Sequence, residues 1–377
     1  MLKVQEVILD NFQKRYILVN GDGSPVLPVM KYLKYLDSTG KSYNTQKTYC
    51  YALKHYFTYL LDMKRDYKNI RLEDLVHFVS WLQNPFESAT IASMQPVKAS
   101  KTAATINLTV TAVTNFYDYL YRTEAIETNV VNLINKQVFT GGKTKYKSFL
   151  YHVANKESSH HHILKVKAPK RVLQILSKDK IQMLLEATTN TRDRLLIHLL
   201  FETGLRIGEA LSLFIEDFKL DHKHGHRIRL VDRGELKNGA KLKTGEREIY
   251  ISQRLLDLYD DYLYEVLDDL HIDTNFLFVK LRGLNTGEPM NYQDVSALFK
   301  RLKKKTGIHV HPHLLRHTHA TMYYKQTKDI KQVQERLGHA QIQTTMNFYL
   351  HLSDEEIREN WEKAQVAFDE VTKKGKR

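Results

Sequence analysis

The feature that most limits the fold is an interruption. Helical spacing of apolar residues governs most of the chain, fails at Lys136 and does not resume until after Arg171. The stretch between, with GGKTKYKS and KVKAPKR, is dense in lysine and follows neither a 3.6-residue nor a 2-residue period. At 377 residues, the chain is long enough for a separate core on each side of that break. The expected organisation is an N-terminal arm over 1–27, a helical domain over 28–136, a basic linker over 137–172, and a second domain over 173–377 ending in a helix.

The first helical region carries three stripes. Tyr49, Leu53, Tyr56, Leu60 and Met63 recur at three and four residues, with Asn44 and Thr45 as cap candidates. Leu72, Leu75, Phe78, Val79 and Leu82 form the second, and Ile106, Val110, Val113, Phe116, Tyr117 and Leu120 the third. Together they predict a four- or five-helix bundle. The other face of the third helix holds Lys101, Thr102, Thr105, Asn107 and Thr109, side chains able to reach base edges and phosphates in a DNA groove. The same face would equally serve as a solvated surface. Residues 1–25 alternate and break at NGDGSP, which fits a short hairpin or an extended arm.

The second region is also helical, with one β-like interlude. HRIRLV, LKNGAKLK and REIYIS alternate and are broken at Asn238-Gly239 and Thr244-Gly245, predicting a small three-stranded antiparallel sheet. Ser177 is a good N-cap ahead of KDKIQMLLEA. The fold class is therefore mainly α with a small antiparallel sheet.

A formal net charge of +14 points to a polyanionic partner, and linker lysines such as Lys143, Lys145 and Lys147 would track phosphates. Cys50 is the sole cysteine, which excludes an internal disulfide framework and a cysteine-rich zinc site. No apolar run reaches membrane-span length and the N-terminus has no signal-peptide pattern, so a cytoplasmic protein with no membrane partner is expected. Three adjacent histidines in SSHHHILK cannot converge on one ion from a single turn. His313 and His317 stand four apart, but Leu314-Leu315-Arg316 lies between them where a zincin has its glutamate, and a cation there repels a metal. No metal site is expected.

The densest chemistry runs from His311 to His351. His313 and Arg316 share a helix face one turn apart, a proton-transfer group beside a cation shaped for phosphate. A Leu-Gly-His follows at Leu337 to His339, and ten residues on stands Tyr349, whose hydroxyl could attack phosphorus. Upstream, Gly204 permits a tight turn that aims Arg206 off the next helix, although an arginine merely paired with Glu209 would look the same. Lys243 sits in a turn, where a lysine alone means little.

In order, Arg206, Lys243, His313, Arg316, His339 and Tyr349, set in TGLRIGEAL, LKTGE, HPHLLRHTHAT, LGHAQIQTT and FYLH, resemble the tyrosine recombinase (phage integrase) family. The resemblance is strong over about residues 177–352 and weaker over the N-terminal helices, which look like the family's core-binding, DNA-binding domain. Chain length, basic linker and signature also look like the transposase-type integrases of site-specific transposons. The spacing from His339 to Tyr349 is one residue longer than in many members; Thr344-Thr345 before the tyrosine and a histidine after it keep the assignment. The resemblance implies a site-specific recombinase, integrase or transposase that cuts and rejoins DNA through a 3′-phosphotyrosyl intermediate. Arg206 and Arg316 would hold the phosphate with His339, His313 would be the base, Lys243 the acid and Tyr349 the nucleophile. No cofactor, metal or ATP is implied. The partners implied are double-stranded DNA at specific recombination sites, other copies of the chain in a tetramer on DNA, and room for a second recombinase or accessory proteins. In many relatives C-terminal segments are exchanged between copies, and Ser353 to Glu356 reads as a capping box for such a helix. A type IB topoisomerase would use similar chemistry, but the short chain and integrase motifs favour recombination. A DNA-binding protein that has lost catalysis is the rival from another class; the presence of all six residues argues against it.

Overall fold

The computed structural model describes residues 1–9, 14–84, 101–138, 159–167 and 175–340, with isolated helical positions at 358, 361, 362 and 365. The chain divides into two units, Met1–Lys170 and Arg171–Arg377.

The first unit opens with an antiparallel hairpin, β1 (Lys3–Ile8) and β2 (Lys14–Val19), in which Lys3 faces Val19 and Ile8 faces Lys14. Leu2, Tyr16 and Leu18 place it against the helices as part of the core. The helices are α1 (Leu27–Ser38), α2 (Tyr43–Asp62), α3 (Leu72–Gln83), α4 (Ala103–Arg122) and the short α5 (Val130–Ile134). Pro28 lies in the first turn of α1, where its missing N–H costs nothing. The cap of α2 is Ser42 rather than Asn44 or Thr45, because its oxygen is the one that accepts the Thr45 N–H; the two expected caps lie inside the first turn. The three stripes meet in a core rich in tyrosine, whose hydroxyls are satisfied inside it. Tyr56 and Tyr117 share a 2.6 Å hydrogen bond, and Tyr59 donates to the Asp74 carbonyl at 2.8 Å.

Described parts of the 137–172 stretch are built into this unit. β3 (Asn135–Val138) pairs antiparallel with β4 (Ser159–His162), and Leu164 joins the core.

The second unit contains α6 (Lys178–Glu186), α7 (Thr191–Thr203), the single turn α8 (Ile207–Ala210), and strands β5 (Phe218–Lys219), β6 (Arg227–Leu230) and β7 (Arg247–Tyr250). Then come α9 (Gln253–Tyr262), continued by a π-helical turn over Leu263–Asp268, α10 (Tyr292–Thr306), α11 (Pro312–Thr327) and α12 (Ile330–Leu337). Ser177 caps α6 as expected. Helix α7 is the central member, packed between α9 and α11, and Leu195, Leu196, Ile197, Leu199 and Leu200 are all fully buried.

The antiparallel sheet has three strands in the order β5-β6-β7, but its membership differs from the sequence expectation. HRIRLV and REIYIS supply β6 and β7; LKNGAKLK is a loop, and the third strand is β5, from upstream. Asn238 decides this. Its amide donates to the Leu211 and Met290 carbonyls at 3.1 and 2.9 Å, and Gly239 turns the backbone at φ +74°. The segment is anchored sideways to two loops and cannot run as a strand.

Candidate active site

The site is built where four helix ends meet in the second unit: the C-terminal ends of α7 and α12 and the N-terminal ends of α8 and α11. Helix α7 stops at Gly204, in the left-handed region at φ +66°; a Cβ there would lie 2.6 Å from His319 Cδ2. The reversed chain makes Arg206 the N-cap of α8 and puts Glu209 at its third position. Glu209 accepts the Arg206 backbone N–H and its guanidinium, each at 3.0 Å. It also accepts the Arg247 guanidinium at 3.0 Å and the Thr244 hydroxyl at 2.8 Å. Burial alone would raise the Glu209 pKa, but the Arg247 charge and these hydrogen bonds outweigh it and hold the carboxyl below its ordinary value. The ion pair that would have made Arg206 an ordinary structural arginine is present. It fixes a guanidinium that remains partly exposed, with 24% of its side-chain surface accessible.

Helix α11 brings the second group. His311 caps it, its ring accepting the Leu314 N–H at 3.2 Å, and His313 follows on the first turn, exposed. Arg316, one turn on, is buried; it donates to the Gly204 carbonyl at 2.7 Å and the Leu337 carbonyl at 2.8 Å. That Leu337 oxygen also lies 3.4 Å from Arg206 Nη1 and 3.3 Å from Arg247 Nη2. It is the last carbonyl of α12, the electronegative end of that helix. Gly338 then turns the chain at φ +64° and delivers His339.

The cations govern the histidines. His313 keeps solvent access, but the protein packed around its ring desolvates it in part, and this, then the charges of Arg316, His311, Arg206 and Lys243, lowers its pKa. Burial and the Arg316, Arg206 and His317 charges push His339 down to about 4, against the opposing pull of Glu209. Burial, His313, Arg316 and His311 do the same to His317, also about 4. Both His313 and His339 are thus neutral at pH 7, one able to take a proton and the other to share one. Lys243 is exposed, yet near enough to depress His313.

Arg206, Lys243, His313, Arg316 and His339 are therefore assembled in one place. Tyr349 lies outside the described residues, as do Lys143, Lys145 and Lys147. In the first unit, Lys101 lies 5.9 Å from the Trp81 ring centroid, and Thr105 donates its N–H to the cap Thr102 at 3.3 Å. Asn107 spends its amide inside the unit, donating to the Val166 carbonyl at 2.9 Å and accepting the Val166 N–H at 2.8 Å. Among the described residues, no three His, Cys, Asp or Glu side chains converge as metal ligands.

Sequence reasoning missed Arg247, and offered Thr244 only as a turn residue, His317 only as half of a rejected metal pair, and Glu209 only as a partner for Arg206. One signal was available. Period-2 alternation puts Arg247 on the same face of β7 as the buried Ile249, so an inward arginine stood two residues from an apolar anchor. A second layer, below the site, was also unseen. Arg336 donates to His319 Nε2 at 3.1 Å and to the Glu202 carbonyl at 3.0 Å, tying α12 to the end of α7.

Residues 174–356 match the phage integrase family, and residues 29–124 match the N-terminal SAM-like domain of phage integrases. The chain belongs to this family, the tyrosine-type site-specific recombinases, enzymes that break and rejoin DNA. Among curated relatives, it is 37% identical to transposase A from transposon Tn554 of Staphylococcus aureus over 366 residues, 96% of this chain and 98% of the relative. It is 26% identical to tyrosine recombinase XerA of Pyrococcus horikoshii over 89% of this chain and 93% of that protein. Its fold matches XerH site-specific recombinase bound to palindromic difH substrate, with a TM-score of 0.59, 21% identity, and 89% and 84% of the two chains covered. The Tn1549 transposon integrase in complex with a circular intermediate DNA matches with a TM-score of 0.58 and 18% identity, covering 89% and 99%.

Proposed function

We propose that this chain cuts and rejoins DNA at specific recombination sites through a covalent 3′-phosphotyrosyl intermediate, with neither metal nor ATP. The observation that carries this reading is the approach of Arg206 and Arg316 to one point, the Leu337 carbonyl, with His313, His339 and Lys243 around them. A phosphodiester under attack gathers negative charge on its nonbridging oxygens, and two fixed guanidiniums stabilise that charge without reorganising.

The Tyr349 hydroxyl gives its proton to neutral His313 as its oxygen bonds phosphorus and the bond to the 5′ oxygen breaks. A phenol with a pKa near 10 needs this base at neutral pH. The departing 5′ oxygen takes a proton from Lys243, and His339 hydrogen-bonds the phosphate. The phosphotyrosine keeps the energy of the broken bond, so the 5′ hydroxyl of another strand reverses the attack and joins a new partner.

Likeness to transposase A along nearly the whole chain supports transposition as the setting. A homotetramer on DNA follows from the family, with the segment after Tyr349 docking on a neighbouring copy. Lys101 just before α4 and Thr105 in its first turn, with Lys143, Lys145 and Lys147, are the proposed DNA contacts outside the site.

Arg206→Ala tests the clamp. Single-turnover cleavage of a nicked duplex should fall by ~10²–10³, while site binding in a gel-shift assay is retained. Cleavage unaffected by this change would remove the two-guanidinium mechanism. An intact enzyme that binds the site and never cuts would favour an architectural DNA-binding role.

A further inference from the structure

Lys243 has no regular structure of its own: residues 241–246 are neither helix nor strand. Leu242, buried at 4% exposure, anchors the turn on one side. Thr244 is the anchor on the other, and Arg247 holds it. The Arg247 guanidinium donates from Nη1 to the Thr244 hydroxyl at 2.9 Å and from Nη2 to Glu209 at 3.0 Å. Its Nε donates to the Arg336 carbonyl at 3.1 Å, and Nη2 also reaches the Leu337 carbonyl at 3.3 Å. All three nitrogens are committed, to three segments that each carry site chemistry: the Lys243 turn, the carboxylate behind Arg206, and the end of α12 before His339. Gly338 closes against the same group, since a Cβ there would sit 2.8 Å from Arg247 Nη1 and 2.9 Å from Thr244 Oγ1.

We propose that Arg247 is a positioning residue that fixes the Lys243 turn for proton delivery to the leaving 5′ oxygen. This rests on the assignment of Lys243 as the acid. Only a planar fork meets these acceptors together; a lysine keeps the charge beside Glu209 but is a single point donor. A mere counterion to Glu209 is therefore replaceable by lysine, and a positioning fork is not.

The test is single-turnover cleavage by Arg247→Lys, on a duplex with the ordinary bridging oxygen and on one with 5′-bridging sulfur. The thiolate leaves without a proton, so a defect in proton delivery shrinks on sulfur, while a defect in phosphate clamping or folding does not. Arg247→Lys should lose ~10²-fold on oxygen, the scale expected for a misplaced catalytic group, and regain most of it on sulfur. Thr244→Val removes the hydroxyl that receives the fork, leaves the Glu209–Arg247 ion pair in place, and should show the same pattern; it carries the test if Arg247→Lys does not fold. Lys243→Ala on both substrates is the reference. A wild-type rate for Arg247→Lys on oxygen overturns the proposal, as does a loss undiminished on sulfur when Lys243→Ala is rescued. Failure of Lys243→Ala itself to be rescued removes the acid assignment, and the proposal falls with it for that separate reason.

Discussion

His319 is a buried imidazole that the folded chain keeps from protonating. Burial and the Arg336 charge push its pKa down to about 3, so in the folded chain it stays neutral while in the unfolded chain it protonates near pH 6.5. The unfolded state then binds more protons below pH 6.5. The stability held by neutral His319 is complete above that pH and is lost as pH falls from there toward 3, by about 1.4 kcal/mol per pH unit. His319→Gln should be less stable than the parent at pH 7.5. The gap should narrow by about 2 kcal/mol at pH 5, measured by urea unfolding at the two values; a gap independent of pH would contradict the account. The residues legible in the sequence were those whose chemistry is unusual for a surface, such as His313 beside Arg316. Those that were not, Arg247 and His319, act by holding other groups, and their types have ordinary uses everywhere. Only the distances reveal which carbonyl or carboxylate each one serves.

Two of the helices that frame the site, α7 and α12, end in glycine. Gly204 and Gly338 both adopt left-handed backbone and both lie where a Cβ would strike a neighbour. These ends place the Gly204 and Leu337 carbonyls on either side of Arg316. Gly338→Ala adds ~1–2 kcal/mol of backbone strain and displaces Arg247 or Thr244. It should lower the melting temperature and slow strand cleavage at least ~10-fold; a variant with parental cleavage would show that the tight closure of α12 on Arg247 is unnecessary. The helices were readable because their stripes repeat over many turns. The third strand was not, since two residues of β5 carry no alternation, while the alternating LKNGAKLK is held as a loop by Asn238, whose acceptors at Leu211 and Met290 lie far away in sequence.

For the whole molecule, a charge of +14 and a lysine-rich 137–172 stretch predict that affinity is carried by phosphates. Binding should weaken steeply as salt rises, and replacing Lys143, Lys145 and Lys147 by alanine should weaken all duplexes alike. Each lost contact should reduce the slope of log K against log salt by ~0.9. A salt-insensitive affinity, or a loss confined to one sequence, would contradict this. The division into two cores was legible because periodicity fails between them. The docking of Leu164 and Val166 on the first core was not, since two apolar residues among lysines form no pattern. Whether Tyr349 is the nucleophile for the phosphate held by Arg206 and Arg316 is decided by peptide mapping of the covalent adduct with a nicked suicide duplex. A 3′-phosphotyrosyl nucleotide is expected on Tyr349 and, in Tyr349→Phe, normal site binding with no adduct; an adduct that persists in that variant, or that maps to Tyr323 or Tyr324, would assign the nucleophile elsewhere.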